Sequence, residues 1–130
     1  MLVIDDEAAV RLSLKSILSE RFNVIACADG AQAIAFASEH CGDVYAAFVD
    51  YAMPVMDGNR VCSALRTLDA TISLIGFSAN DDAPFQDPLF ARLPKKHLSS
   101  EQVLNLAATG VRLAEKLKQA GHPVIDRLGE

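Results

Sequence analysis

The sequence predicts an α/β domain built on a doubly wound, five-stranded parallel sheet. Short apolar runs alternate along the chain with segments of helical periodicity, which is the pattern of parallel strands joined by crossover helices. The chain has 130 residues, the usual size of one domain, and 51% of them are hydrophobic, which is enough for a normal core. No internal repeat or low-complexity segment interrupts the alternation.

Three strands and three helices are predicted in the first half of the chain. The strands are short apolar runs that end at acidic or glycine-containing turns, and they lie at Leu2–Ile4, Asn23–Ala28 and Val44–Val49. The helices have apolar residues on one face; the first carries Val10, Leu14, Ile17 and Leu18, and the others span Ala31–Glu39 and Asn59–Leu68.

The second half keeps the strands but loses most of one helix. Ile72–Phe77 and Leu89–Leu93 are apolar runs and predict the fourth and fifth strands. Between them, Pro84 and Pro88 oppose a regular helix, because a proline inside a helix costs about 3 kcal/mol. The fourth helix of the alternating pattern is therefore expected to be shortened or degenerate.

A long final helix is predicted after the fifth strand. Ser99 and Gln102 have the spacing of a capping box, and Gly121 is a typical helix terminator. We therefore assign residues 1–121 to the domain and residues 122–130 to a C-terminal tail or the start of a linker.

The composition gives no reason to expect nucleic acid or a membrane as a partner. The formal net charge is −5, so the chain has no general attraction for polyanions. There is neither an apolar run of about 18 residues nor a secretory signal, and Cys27, Cys41 and Cys62 match no disulfide or zinc pattern. These features favour a cytoplasmic protein, or a cytoplasmic part of a longer one.

Polar side chains follow four of the five predicted strands. They are Asp5 and Asp6 after the first strand, Asp50 after the third, Ser78 after the fourth, and Lys95 and Lys96 after the fifth. Because the carboxyl ends of parallel strands meet at one edge of a sheet, and ligands bind there, we expect these side chains to form one site.

Three carboxylates in one crevice repel one another, by roughly 3 kcal/mol for charges about 5 Å apart at an effective dielectric of 20. A hard divalent cation such as Mg²⁺, or Mn²⁺, removes that repulsion and takes oxygen ligands. With a lysine and a hydroxyl nearby, such a site suits a phosphoryl group, and one carboxylate could be the nucleophile that forms an acyl phosphate. For Asp5 and Asp6, a helix N-cap is the alternative.

Two segments resemble the receiver domains of two-component response regulators. Residues 2–7 read LVIDDE and are similar to the family's opening strand and acidic pair, and residues 48–58 read FVDYAMPVMDG and closely match its phosphorylation segment. The resemblance extends from residue 2 to about residue 120. It implies a flavodoxin-like fold and a phosphorylation-dependent signalling switch.

The resemblance also implies the chemistry. Asp50 would be the phosphoacceptor, and Mg²⁺ would be held by Asp5, Asp6, Asp50 and the backbone carbonyl of Ala52. The phosphoryl group would come from a sensor histidine kinase or a histidine phosphotransfer protein. The protein would be a switch with weak self-phosphorylation and self-dephosphorylation and not a turnover enzyme.

A hydroxyl and a lysine would contact the phosphoryl group. Ser78 matches the hydroxyl position, and Lys95 or, in an alternative register, Lys96 matches the lysine. In the family this lysine precedes a proline and the bond between them is cis, whereas Pro94 comes before Lys95 here.

Two further departures concern the switch machinery. The position of the family's switch aromatic holds Arg92 or, in the other register, Leu93. Lys95 follows Ser78 by 17 residues, a short interval for the family, and the missing residues come from the fourth helix. These departures leave open a degenerate receiver that only binds proteins. A metal-dependent phosphatase resembling the haloacid dehalogenases would need Asp-x-Asp after the first strand.

The last helix carries an apolar stripe wider than one core-facing side requires. Its hydrophobic residues cover an arc of roughly 240°, where a little over 100° is needed. We therefore expect Leu104 and Val111 to lie at an interface, in a homodimer or with a neighbouring domain. The alternative is that the segment from Asp81 to Pro88 covers the stripe.

Overall fold

The computed structural model describes residues 1–79, 83–86, 89–95 and 99–121. The strands are β1 (Leu2–Ile4), β2 (Ile25–Cys27), β3 (Ala46–Asp50), β4 (Ser73–Ser78) and β5 (Ala91–Pro94). The helices are α1 (Ala8–Leu18), α2 (Gly30–Glu39), α3 (Gly58–Leu68) and α4 (Ser100–Gln119). The strands form one parallel sheet in the order β2-β1-β3-β4-β5.

Helices cover both faces of this sheet, so the predicted doubly wound architecture is confirmed. Helices α1 and α4 pack side by side on one face, and α2 and α3 pack on the other. Every residue of β1, β3 and β4 is buried, which is why these strands read as continuous apolar runs and not as alternating patterns. The fold is flavodoxin-like, and no helix in the described part of the chain could cross a membrane.

Four strands differ in extent from the prediction: β3 and β4 each begin and end later in the chain than predicted, and the other two are β2 and β5. β2 spans Ile25–Cys27 and is shorter than predicted. β5 begins at Ala91, where the ladder pairs it with Ile75, and it ends at Pro94. The apolar side chain of Leu89 packs against the core instead of joining the strand. A proline without an N–H group is tolerated at the end of an edge strand such as β5.

The connection between β4 and β5 contains no helix in its described residues, 79, 83–86 and 89–90. Phe85 instead lies over two glycines that leave room for its ring. A Cβ atom at Gly76 would lie 2.8 Å from that ring, and one at Gly58 would lie 3.0 Å from it. The shortened fourth helix of the prediction is thus replaced, where the chain is described, by an irregular segment packed onto the sheet.

Polar contacts hold this connection to α3 and β5. The Asn59 amide donates to the carbonyl of Pro84 at 3.0 Å and accepts from the backbone N–H of Gln86 at 2.7 Å. Arg92 donates to the carbonyl of Ala83 at 2.9 Å, and its guanidinium lies 5.4 Å from the centre of the Phe85 ring. The connection is therefore anchored from both sides.

Helix α4 begins as predicted and is fixed at both ends. The Ser99 hydroxyl accepts from the backbone N–H of Gln102 at 3.3 Å. Near the other end, the Lys118 ammonium donates to Asp69 and to the Thr71 hydroxyl, each at 2.7 Å. Residues 122–130, assigned to a tail or linker, lie outside the described part of the chain.

The expectation that Leu104 lies on an exposed stripe of the last helix is wrong. Leu104 is only 8% exposed and packs in the core that α4 shares with α1. The helix lies against both the sheet and α1, so it buries a wider arc than contact with the sheet alone would require. Val111 is half-buried, and its place at an interface stays a prediction; Leu113 is the large apolar residue of α4 that is 40% exposed.

We predict that Asn59→Ala lowers the free energy of unfolding by about 1–3 kcal/mol, because two backbone groups of the connection lose a partner and each such bond contributes about 0.5–1.5 kcal/mol. Asn105→Ala is the matched control, since Asn105 is an exposed asparagine within α4. Urea denaturation measures both variants. Equal stability of the two variants would show that the connection is not held through Asn59.

Candidate functional site

The sheet register brings four strand ends to one edge. Asp5 directly follows β1, while Asp50 and Ser78 are the last residues of β3 and β4. Asp50 of β3 pairs with Phe77 of β4, so Asp50 lies level with the residue that precedes Ser78. Lys95 directly follows β5, and its backbone N–H donates to the carbonyl of Ser78 at 3.0 Å. These residues therefore lie together at one edge of the sheet, as predicted from the sequence.

Lys95 carries the positive charge of the site. Its Nζ atom lies 3.2 Å from Oδ2 of both Asp5 and Asp50, and 2.8 Å from Oε1 of Glu7. The two aspartates are buried, and the lysine side chain is only 10% exposed. Of the two lysines considered from the sequence, Lys95 therefore reaches the acidic cluster, while Lys96 lies outside the described residues.

The three aspartates form a group with the spacing of metal ligands. Asp5, Asp6 and Asp50 each offer a carboxylate oxygen, and these oxygens lie within 4.8 Å of one another. The buried Oδ2 atoms of Asp5 and Asp50 face Lys95 but accept no well-aligned hydrogen bond from the described residues. Buried carboxylate oxygens with unused lone pairs suit a hard cation, so the residues present fit Mg²⁺.

Burial and a second carboxylate perturb the pKa of Asp50, the candidate phosphoacceptor. Burial, then the negative charge of Asp5, raises the pKa of Asp50 to about 7, against the lowering effect of Lys95. Burial acts to lower the pKa of Lys95, but its contacts with Glu7, Asp5 and Asp50 outweigh burial and raise that pKa above its ordinary value. The single positive charge of Lys95 is therefore shared by three carboxylates, so negative charge at this edge remains unbalanced.

The N-cap alternative for Asp5 and Asp6 does not fit the structure. The residue that caps α1 is Glu7, and its side chain makes no capping hydrogen bond. Asp5 instead accepts from the backbone N–H of Glu7 at 2.8 Å, and its own carbonyl accepts from Arg11 at 2.7 Å. These bonds fix the turn after β1, with Asp5 buried and Asp6 exposed.

The loop after Asp50 is tightly shaped. The backbone N–H of Gly58 donates to the carbonyl of Tyr51 at 2.7 Å, and that of Met56 donates to Pro54 at 2.8 Å. Val55, between these last two, has a φ of 70° and is almost fully exposed. Ala52, whose carbonyl is an expected metal ligand, lies in this loop; that role remains a prediction.

Two residues, Glu7 and Phe85, make contacts at or near the site that were not predicted from the sequence. Glu7 was visible only as a third acid after Asp5 and Asp6, and it contacts Lys95. Phe85 lies edge-on to the ring of Tyr51, at 5.2 Å between centres. A lone aromatic between prolines gives no sequence signal of such a contact. Phe85 also contacts the guanidinium of Arg92.

Comparison with known proteins establishes the family. The model of the response regulator receiver domain matches residues 1–91, and the chain belongs to that family. The chemotaxis protein CheY of Bacillus subtilis is 37% identical over 81 residues, which cover 61% of this chain and 66% of CheY. The transcriptional regulatory protein PrrA of Mycobacterium tuberculosis is 38% identical over 80 residues, or 61% of this chain and 34% of PrrA.

Solved structures have the same fold. A two-component transcriptional regulator AraC from Clostridium phytofermentans aligns with a TM-score of 0.77 at 21% identity, covering 93% of this chain and 97% of that one. The CheX-CheY complex with BeF3 and magnesium from Borrelia burgdorferi aligns with a TM-score of 0.71 at 25% identity, covering 83% and 85%. This chain matches only about a third of the length of PrrA.

We predict that the metal-free domain loses stability as the pH rises from about 4 to about 7. The pKa of Asp50 is raised from 3.8 to about 7 in the folded state, so the folded protein binds more protons than the unfolded chain across that interval. Asp50→Asn should remove this loss and be the more stable protein above pH ~7, by roughly 1–4 kcal/mol. Urea denaturation in a chelator measures the difference.

The exposed Asp43→Asn variant is the control, and it should keep the parent protein's loss of stability across this interval, because Asp50 is unchanged in it. An Asp50→Asn stability curve parallel to that of the parent protein across the same interval would contradict the account of Asp50.

Proposed function

We propose that the chain is a phosphorylation-dependent signalling switch whose Asp50 accepts a phosphoryl group from a sensor histidine kinase or a histidine phosphotransfer protein. The observation that carries this proposal is the placement of Asp50 at the carboxyl edge of the sheet, buried beside Asp5 and Lys95. Membership of the receiver family supports it.

In this proposal the carboxylate of Asp50 is the nucleophile. Its oxygen attacks phosphorus, the bond from phosphorus to the donor imidazole breaks, and the electron pair leaves with the imidazole nitrogen. Lys95 donates to a phosphoryl oxygen and neutralises charge there. Ser78, at the end of the neighbouring strand, offers a hydroxyl to another oxygen.

Mg²⁺ fits the acidic group and would be held by Asp5, Asp6, Asp50 and the Ala52 carbonyl. When bound, it supplies positive charge that offsets the repulsion between carboxylates and phosphoryl oxygens. The chain's own contribution is to keep these ligands in place, since Asp5 is fixed by Glu7 and Asp50 by the β3–β4 ladder.

We further propose that the chain is a switch with weak self-phosphorylation and self-dephosphorylation and not a turnover enzyme, as its membership of the receiver family suggests. The degenerate receiver that only binds proteins has one observation in its favour, the irregular connection between β4 and β5. Against it stands the full set of acids with Lys95, which such a protein would not need.

We predict that Asp50→Asn abolishes labelling by acetyl phosphate with Mg²⁺, because the proposed nucleophile is removed. Intact-protein mass spectrometry should find one added phosphoryl group on the parent protein and none on the variant. Asp43→Asn, an exposed aspartate, should be labelled normally. Full labelling of Asp50→Asn would assign the phosphoacceptor elsewhere.

We predict that Mg²⁺ raises the melting temperature of the unmodified domain. A ligand that binds only the folded state at about a hundredfold excess over Kd adds about 2.7 kcal/mol of stability, which is roughly 10 °C for a domain of this size. Asp6→Ala should lose most of this shift, whereas Asp43→Ala should retain it. An undiminished shift in Asp6→Ala would remove Asp6 from the metal site.

A further inference from the structure

Glu7 does not make the capping hydrogen bond that its position at the start of α1 allows. It is the N-cap residue of α1, yet its side chain accepts no backbone N–H of that helix. Its carboxylate instead lies 2.8 Å from the Lys95 ammonium, closer than either aspartate at 3.2 Å. The charge contact with Lys95 has therefore replaced the capping bond.

The three carboxylates around Lys95 differ in how easily they can leave it. An ammonium has three N–H groups, and here three acids surround it: Lys95 donates to Glu7 at 2.8 Å and to Oδ1 of Asp5 at 3.5 Å, and it lies 3.2 Å from Oδ2 of Asp50. Asp5 and Asp50 are buried, whereas the Glu7 side chain is 61% exposed. An exposed carboxylate regains water when it is released, and a buried one does not. Breaking the ion pair between Lys95 and Glu7 therefore costs less free energy than breaking the pair with either aspartate.

We propose that Glu7 is the exchangeable counter-ion of Lys95, occupying the N–H group that a phosphoryl oxygen takes when Asp50 is phosphorylated. This inference rests on the proposed function and adds a positioning residue to it. Glu7 holds Lys95 over the acidic pair in the resting domain and opposes the transfer by the strength of one ion pair. It is not itself a nucleophile.

Phosphorylation of Asp50 by a phosphodonor requires no further reactant. With acetyl phosphate, an Asp50 oxygen bonds to phosphorus, the bond from phosphorus to the acetyl oxygen breaks, and acetate leaves with the electron pair. The Lys95 N–H group exchanges its acceptor from Glu7 to a phosphoryl oxygen, and no proton is transferred. Exposed ion pairs of this kind contribute 0.2–1 kcal/mol, so Glu7→Gln should accelerate phosphorylation about 1.5- to 5-fold.

A double-mutant cycle separates this exchange from a general effect of charge. Initial rates with acetyl phosphate are measured at saturating Mg²⁺ for the parent protein, Glu7→Gln, Lys95→Ala and the double variant. The acceleration by Glu7→Gln should be absent when Lys95 is already alanine. Glu39→Gln, which removes an exposed carboxylate from the end of α2, should leave the rate unchanged.

Three results would overturn the inference: no acceleration, the same acceleration in both backgrounds, or equal acceleration by Glu39→Gln. Unlabelled parent protein would instead remove the proposed function and this inference with it. If Lys95→Ala is too slow to measure, the Lys95 ammonium is followed by NMR. Its proton signal should be visible in the resting parent protein and broadened by faster exchange with water in Glu7→Gln; an unaltered signal would also overturn the inference.

Discussion

The structure depends on one constraint, the burial of two carboxylates, Asp5 and Asp50, around a single lysine. Buried charges are tolerated only when they are paired, and Lys95 reaches both aspartates at 3.2 Å. The lysine can do so only because β5 pairs with β4 and delivers it to the same edge as β1 and β3. Misplacement of any of these strands would leave an acid buried without a partner.

One lysine does not balance the charge of the carboxylates at this edge, and this deficit makes the edge suitable for a cation. Burial and the neighbouring Asp5 raise the pKa of Asp50, so the resting domain holds charge that a cation would neutralise. Glu7 is a third carboxylate that contacts Lys95, and it adds to the negative charge at this edge. The opposite end of the sheet, by contrast, is closed by a self-contained pair, in which Lys118 satisfies Asp69.

The sequence was sufficient to predict the doubly wound parallel sheet and an acidic edge with Lys95 or Lys96 beside it, because apolar runs followed by Asp or Ser mark the ends of buried parallel strands. It did not predict that Leu104 would be buried, since an arc of apolar residues does not reveal that α4 also packs on α1. It could not place Phe85 either. The slot above Gly58 and Gly76 exists only after the sheet and α3 have assembled.

The central claim is that this edge is one site for a metal ion and a phosphoryl group. Its most direct test is to follow backbone amide NMR signals while Mg²⁺, and then beryllofluoride as a phosphoryl mimic, are added. The account predicts saturable shifts centred on Asp5, Asp6 and Asp50 with Mg²⁺, and further shifts reaching Ser78 and Lys95 with beryllofluoride. Shifts that are absent, or that centre on another part of the sheet, would contradict it.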